Sequence, residues 1–238
     1  MAGEIRVGTS GWQYDDWRGP FYPDELPARR WLEHYAATFS TVEVNSTFYR
    51  LASQDAVQGW ADTAPERFEF ACKGSRFITH QKKLKDPVEP VDRFFAPLSP
   101  LSDHLEVVLW QLPPRWRRDP ARLDEFLEAV PGDVRHAVEL RDDDWFHDET
   151  YEILDRHGAA LVWLSSSLTS AHHEHVRTGN HVYLRFHGLD EDEPYRYDYA
   201  RRELEPWAQQ LREVAANGTP AWVYFNNDHA AKAVANAQ

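Results

Sequence analysis

One cysteine, Cys72, occurs in 238 residues. That excludes an intrachain disulfide framework and any zinc centre built from several thiolates. No apolar run approaches the length a bilayer-spanning helix needs. The strand-like "IRV" begins so near the start that no signal peptide is expected. Glycine is scarce at 11 residues, which with 42% hydrophobic residues describes a globular chain rather than a collagen-like or disordered one. Positive charge is in deficit, 26 Lys and Arg against 39 Asp and Glu, for a formal charge of −13. Such a balance disfavours a protein that coats nucleic acid by bulk electrostatics, while leaving room for a local basic pocket. Also missing is a dinucleotide fingerprint, because "VGTSGW" after the first strand-like run lacks the G-x-G-x-x-G spacing. The expectation is a cytoplasmic, membrane-free protein with one domain over residues 1–238.

Eight strand-like runs are present, at 5–10, 41–46, 68–73, 106–111, 136–141, 160–165, 182–187 and 221–226. Their starts lie about 31 residues apart on average, the length of a strand-plus-helix unit. Helical patterns occupy 28–39, 53–64 with Ser53 as N-cap, 119–130, 148–158 ending at Gly158, 200–218 and 228–238. The connection 166–181 carries the weakest pattern and reads as a short helix or loop. Its "HHEH", His172 to His175, looks metal-like but is better read as solvated loop. Eight such units predict an α/β fold, a single (β/α)8 TIM-type barrel of parallel strands. The competing architecture is an open doubly wound sheet.

In a parallel barrel each strand is buried twice, against helices outside and side chains inside. The alternation in six runs puts Val42, Val44, Phe70, Cys72, Val108, Trp110, Val138, Leu140, Leu184, Phe186, Val223 and Phe225 on one apolar face. The opposite face turns polar late in each run, at Glu43, Asn45, Lys73, Gln111, Glu139, Arg141, Arg185, His187 and Asn226. Parallel closure would collect these residues at one mouth, where barrels of this kind build their sites. Buried ions cost several kcal/mol each, roughly, unless paired. Lys73, Arg141 and Arg185 can offset Glu43 and Glu139, leaving about one positive charge with His187 neutral. The alternative to a site is an internal salt-bridge network that only holds the barrel together. Apolar residues often serve that purpose as well, so the cluster is read as functional.

The same segments resemble the YecE-like family, known as domain of unknown function 72. "GTSGWQYDDWRGPFYP", "VEVNSTFYR", "FACKGSRFITH", "WQLPP", "AVELRDDDW", "LRFHG" and "YFNND" follow in order over nearly the whole length. The resemblance implies a TIM-type barrel and carries no settled activity. This chain stops sooner after "FNND" than longer members, which implies an abbreviated last helix.

Individual residues then take expected roles. Glu43 and Glu139 are the acid–base pair if their surroundings split their pKa values. Lys73 would form a Schiff base in an apolar pocket; between two glutamates it would stay charged as a clamp, the reading favoured here. Arg141 and Arg185 offer planar donor forks to a carboxylate or phosphate. His187 is either a proton shuttle or a histidine bonded to a carboxylate. Asn45, Gln111 and Asn226 would orient a ligand, with His80 in the loop after the third strand. Trp12 and Tyr49 would stack a ring; Phe21 and Tyr22 read better as a plug. Asp228 reads as a cap for the last helix. Glu43, Glu139, His187 and Asn226 include metal-ligating types, but the neighbouring cations compete with a divalent ion, so no metal and no cofactor is expected. The resulting expectation is an enzyme of hydrolase or lyase type acting on a small anionic, ring-containing compound. The alternative is a non-catalytic barrel that binds an anionic ligand or nucleic acid.

Overall fold

A computed structural model describes residues 2–167 and 175–238. Eight strands run in parallel: β1 (Ile5–Thr9), β2 (Thr41–Val44), β3 (Glu69–Lys73), β4 (Leu105–Gln111), β5 (Arg135–Glu139), β6 (Ala160–Ser166), β7 (Val182–Gly188) and β8 (Ala221–Phe225). From β2 to β8 each pairs with its sequence neighbour, and β8 returns to β1. The ring closes at the β1–β2 seam through one parallel bridge between Ser10 and Glu43. The fold is a (β/α)8 barrel of the TIM type.

Among the described residues helices lie between all consecutive strands except β6 and β7, and one follows β8: α1 (Trp31–Ala36), α2 (Ser46–Tyr49), α3 (Gln54–Thr63), α4 (Val88–Phe95), α5 (Pro120–Ala129), α6 (Asp148–Arg156), α7 (Arg201–Ala216) and α8 (Lys232–Ala237). Ser53 caps α3 by accepting from the Ala56 amide, and Asp119 caps α5 at Arg122. Gly158, at a φ of 66°, supplies the left-handed turn after α6. Two helices have no counterpart in the sequence reading. α2 is a single turn directly after β2. α4 hides in "KDPVEPVDRFF", where two prolines suggest a loop. Pro87 and Pro90 sit at the cap and in the first turn, where a missing amide costs no helical hydrogen bond. α8 begins four residues later than expected, behind a turn in which Ala230 and Ala231 have positive φ. Residues His172 to Glu174 of the "HHEH" stretch lie outside the described residues. His175 stacks against Trp163.

The two strand faces form two separate cores. The outward apolar face, Val42 to Phe225, merges with the helices into one large cluster. The inward face is a smaller cluster of Ala71, Val107, Leu109, Ala137, Ala160, Val162, Tyr183, Trp222 and Tyr224. Trp222 helps close the amino-terminal end of the barrel. Its indole donates to Glu69 at 2.8 Å, and the guanidiniums of Arg6 and Arg135 lie over its ring. At the seam, Tyr35 joins the two strands: its hydroxyl accepts from the Thr9 amide at 2.9 Å and donates to the Thr41 carbonyl at 3.0 Å. Gly8 permits this approach, because a Cβ there would meet the Thr41 carbonyl oxygen at 2.3 Å. The small residues Ala71, Ala137 and Ala160 leave space inside the barrel for the large side chains of β7 and β8.

Candidate active site at the barrel mouth

The carboxyl ends of the strands bring the inward polar residues together in two tiers. The lower tier is ionic and closed. Arg185, 1% exposed, donates one nitrogen to Glu43 at 2.7 Å and another to Glu139 at 2.6 Å. Tyr183 donates its hydroxyl to the second oxygen of Glu43 at 2.7 Å. Gln111 donates to Glu139 at 2.6 Å, and Arg141 pairs with the same carboxylate from above. Burial alone would raise both carboxyls. It is outweighed by Arg185 at Glu43, which moves down, and by Arg141 and Arg185 at Glu139, which moves well below the usual range. Arg185 moves upward against its own burial because Glu43 and Glu139 flank it.

His187 belongs to this tier. Its Nε2 faces Arg185 at 2.9 Å and Arg141 at 3.3 Å, and both guanidiniums can only donate. Nε2 is therefore an acceptor, and Nδ1 stands 2.9 Å from the side-chain amide of Asn226; a proton on Nδ1 requires that amide turned with its oxygen toward the ring. Burial first, then Arg185, push this imidazole down to about 3. It is held neutral, as an oriented acceptor.

The upper tier is a cavity of about 570 Å³ lined by Tyr14, Asn45, Phe48, Tyr49, Lys73, Gln111, Leu112, Pro114, Arg141, His187, Tyr195, Asn226 and Asp228. Ten residues expected from sequence thus meet here: Asn45, Tyr49, Lys73, Gln111, Arg141, His187, Asn226 and, forming the ionic floor beneath them, the Glu43–Arg185–Glu139 triad. Trp12 and His80 do not line the cavity. Trp12 is buried edge-on against Trp60. His80 stands behind the wall, its ring edge-on to Phe48 at 5.1 Å and its Nδ1 bonded to Thr79. Phe21 and Tyr22 pack with Trp17 and Trp31 below the first loop.

Lys73 differs from the arrangement favoured on sequence. It does not sit between the glutamates, because Arg185, Arg141, Tyr183 and Gln111 already take up their oxygens. Its ammonium lies 4.4 Å over the Phe48 ring and makes no ion pair with a carboxylate among the described residues. Burial, then the like charge of Arg185, lower its pKa to about 8.

Asp228 is the residue the sequence reading missed. It does not cap α8. The Tyr14 hydroxyl beside it donates to the Ser10 carbonyl at 2.6 Å, and Asp228 Oδ1 stays buried without a partner. Burial above all pushes this carboxyl up to about 6. The available signal was parity: Tyr224, Asn226 and Asp228 alternate on the inward face, past the end of β8.

No group of three or more His, Cys, Asp or Glu side chains is arranged to hold a metal ion among the described residues. Nor is any described helix long and apolar enough to cross a membrane.

The sequence model of the family described as "Protein of unknown function DUF72" matches residues 6–238. Among curated proteins, the chain is similar to the UPF0759 protein YunF of Bacillus subtilis, with 26% identity covering 98% of this chain and 92% of that one. The UPF0759 protein YecE of Escherichia coli is 28% identical over 79% of this chain and 76% of its own. A DUF72 family protein crystallised from Thermotoga maritima superposes with a TM-score of 0.88 at 30% identity, covering 98% and 96% of the two chains. One from Enterococcus faecalis gives a TM-score of 0.80 at 20% identity over 99% and 95%, a likeness of fold.

Proposed function

This chain belongs to the DUF72 family, and since that family's description assigns no activity, we propose a function from the site itself: an enzyme of hydrolase or lyase type that moves a proton on a small anionic, ring-bearing compound held at the barrel mouth. One observation carries the proposal. Above a floor whose charges cancel, the cavity holds two groups shifted toward each other, Lys73 down to about 8 and Asp228 up to about 6. Between those values one is a cation and the other a carboxylate, and each can exchange a proton near neutral pH.

The remaining parts follow. Arg141 sits on the cavity wall and can meet a carboxylate or phosphate, with Lys73 as a second cation. Asn45, Gln111 and Asn226 offer amide groups, and Tyr49, Phe48 and Tyr195 offer faces for a ring. Glu43 and Glu139 keep fixed charge in place to hold Arg185 and Arg141, and proton exchange passes to Asp228 and Lys73. A second reading, binding without turnover of an anionic ligand or nucleic acid, draws on residues 73–85, which contain Lys73, Arg76, Lys82, Lys83 and Lys85 and no acid.

Calorimetric titration with benzoate and phenyl phosphate tests the pocket. Arg141→Gln is expected to weaken binding about ten-fold or more, the loss of one charged hydrogen bond. Asp228→Asn is expected to retain binding and lose turnover in a mass-spectrometric screen of carboxylate-bearing ring esters and hydroxy acids. Binding indifferent to both Arg141→Gln and Lys73→Met would remove the pocket from consideration. Turnover unaffected by Asp228→Asn would remove the proton-transfer role, and affinity for an oligonucleotide falling steeply with salt would favour the second reading.

A further inference from the structure

We propose that Lys73 is a covalent nucleophile, and that the compound bound at the mouth is a 2-oxo acid whose carbonyl carbon forms an imine with the Lys73 amine while its carboxylate rests on Arg141. The proposal rests on the anionic site described above and narrows its chemistry.

Three features of the geometry point to it. A lysine that only neutralises charge is found against a carboxylate, and here both nearby carboxylates are committed to guanidiniums. Lys73 is 9% exposed and opens into the cavity. Its amine therefore meets a ligand before it meets bulk water. The Phe48 face, 4.4 Å away, stabilises a cation without offering a base that would hold the ammonium proton. The same face suits the iminium that replaces the ammonium. Finally, a carboxyl able to take and return a proton, Asp228, lines the same cavity with one oxygen unpartnered.

The steps balance without any further reagent. Asp228 takes a proton from the Lys73 ammonium, through solvent in the cavity. The free amine adds to the carbonyl carbon, forming the C–N bond and moving the C=O π pair onto oxygen, which takes a proton from nitrogen. The resulting carbinolamine loses its hydroxyl as water with the proton returned by Asp228, while the nitrogen lone pair forms C=N. Ammonium and ketone have become iminium and water. The positive nitrogen then accepts electrons from an adjacent bond, which is the chemistry of lyases and of exchange at the neighbouring carbon.

The chain has five lysines, and Lys82, Lys83, Lys85 and Lys232 are all more exposed than Lys73. Reductive trapping therefore separates a built site from general reactivity. The intact protein is incubated with glyoxylate, pyruvate or benzoylformate and sodium cyanoborohydride, then digested and mapped by mass spectrometry. At least one of the three is expected to label Lys73 ten-fold or more faster than any other lysine. Benzoate should slow that labelling, Arg141→Gln should slow it with the oxo acid but not with neutral benzaldehyde, and Lys73→Met should abolish it while keeping the thermal transition. Labelling of Lys73 no faster than the exposed four, with all three probes, overturns the proposal. If benzoate still binds in an Arg141-dependent way in that case, the anionic site stands and only the covalent step falls. If Lys73 is trapped but Arg141→Gln and benzoate change nothing, the nucleophile stands and the anionic reading falls.

Discussion

Arg185 shows why an ionic floor can sit inside a barrel at all. A guanidinium presents donors on two sides, so one cation can engage two carboxylates, Glu43 at 2.7 Å and Glu139 at 2.6 Å. Removing it would leave both glutamates buried and short of a partner. Arg185→Met is expected to cost about 3–5 kcal/mol in urea unfolding, the range for breaking a buried pair from one side; a cost under about 1 kcal/mol would mean water reaches this tier. Glu43→Gln should cost less, because Arg185 keeps Glu139. At the cavity, the residue-scale consequence is a pH profile. Asp228 acts as a base once ionised, so turnover should rise as pH passes about 6. Lys73 holds the anion as a cation, so turnover should fall as pH passes about 8. The residual turnover of Asp228→Asn should lack the acid limb, and benzoate binding to Lys73→Met should no longer weaken as pH passes about 8. A profile with the same limbs in both variants would place the titrating groups elsewhere.

At the scale of elements, strand-like runs were enough to locate all eight strands, and period-two alternation gave the direction of the polar face in six of them, because double burial leaves each strand little freedom. Val42 and Val44 turned outward and Glu43 inward as the alternation requires. Capping chemistry likewise marked α3 and α5. What escaped was set by contacts distant in sequence. Nothing local to "FACK" reveals that arginines from β7 and the loop after β5 take both glutamates and leave Lys73 over Phe48. Nothing local to "FNND" reveals that a pair of left-handed alanines delays α8 and frees Asp228. The prolines of α4 misled because their cost depends on position within the helix. The seam is another such case. Tyr35, on a helix, supplies the hydrogen bonds that two strands do not make directly. Tyr35→Phe should therefore leave the Thr9 amide and Thr41 carbonyl without their shared partner and cost about 2–3 kcal/mol. Equilibrium unfolding would detect it, and hydrogen exchange should show Thr9 exposed first. A loss no larger than that of an exposed Tyr→Phe change would mean the strands pair without the hydroxyl.

Across the whole molecule, buried histidines set the response to acid before any carboxylate does. His187 is held near 3 by burial and Arg185, His136 near 4 by burial, and His181 near 3 by burial and Arg135. They lie at both ends of the barrel. His136 donates Nε2–H to the Pro131 carbonyl and accepts from the Trp110 indole, so it has no place for a second proton. His181 stands edge-on to Trp222, within reach of the charge of Arg135. In the unfolded chain each would titrate near 6.5. Below that value these three give the unfolded state up to three more protons than the folded one; His80, lowered to about 4, adds to that number and Asp228, raised to about 6, takes about one back, so stability falls as pH falls. The slope is about 4 kcal/mol per pH unit once all three are engaged. Glu43 and Glu139 contribute in the same direction but later: their stabilisation is complete above the ordinary carboxylate range and is lost only as pH drops through it. A domain with about 5–15 kcal/mol in hand would spend most of it within two to three pH units of 6.5. Acid unfolding is therefore expected between about pH 4 and 5, with the urea midpoint already declining from pH 7 to 5.5. His181→Gln should flatten that decline by about one proton, roughly 1.4 kcal/mol per pH unit, while leaving the cavity at the opposite end untouched. A urea midpoint constant from pH 7 to 5.5 would mean these imidazoles gain protons as readily folded as unfolded, and the barrel ends would have to be far wetter than their packing implies.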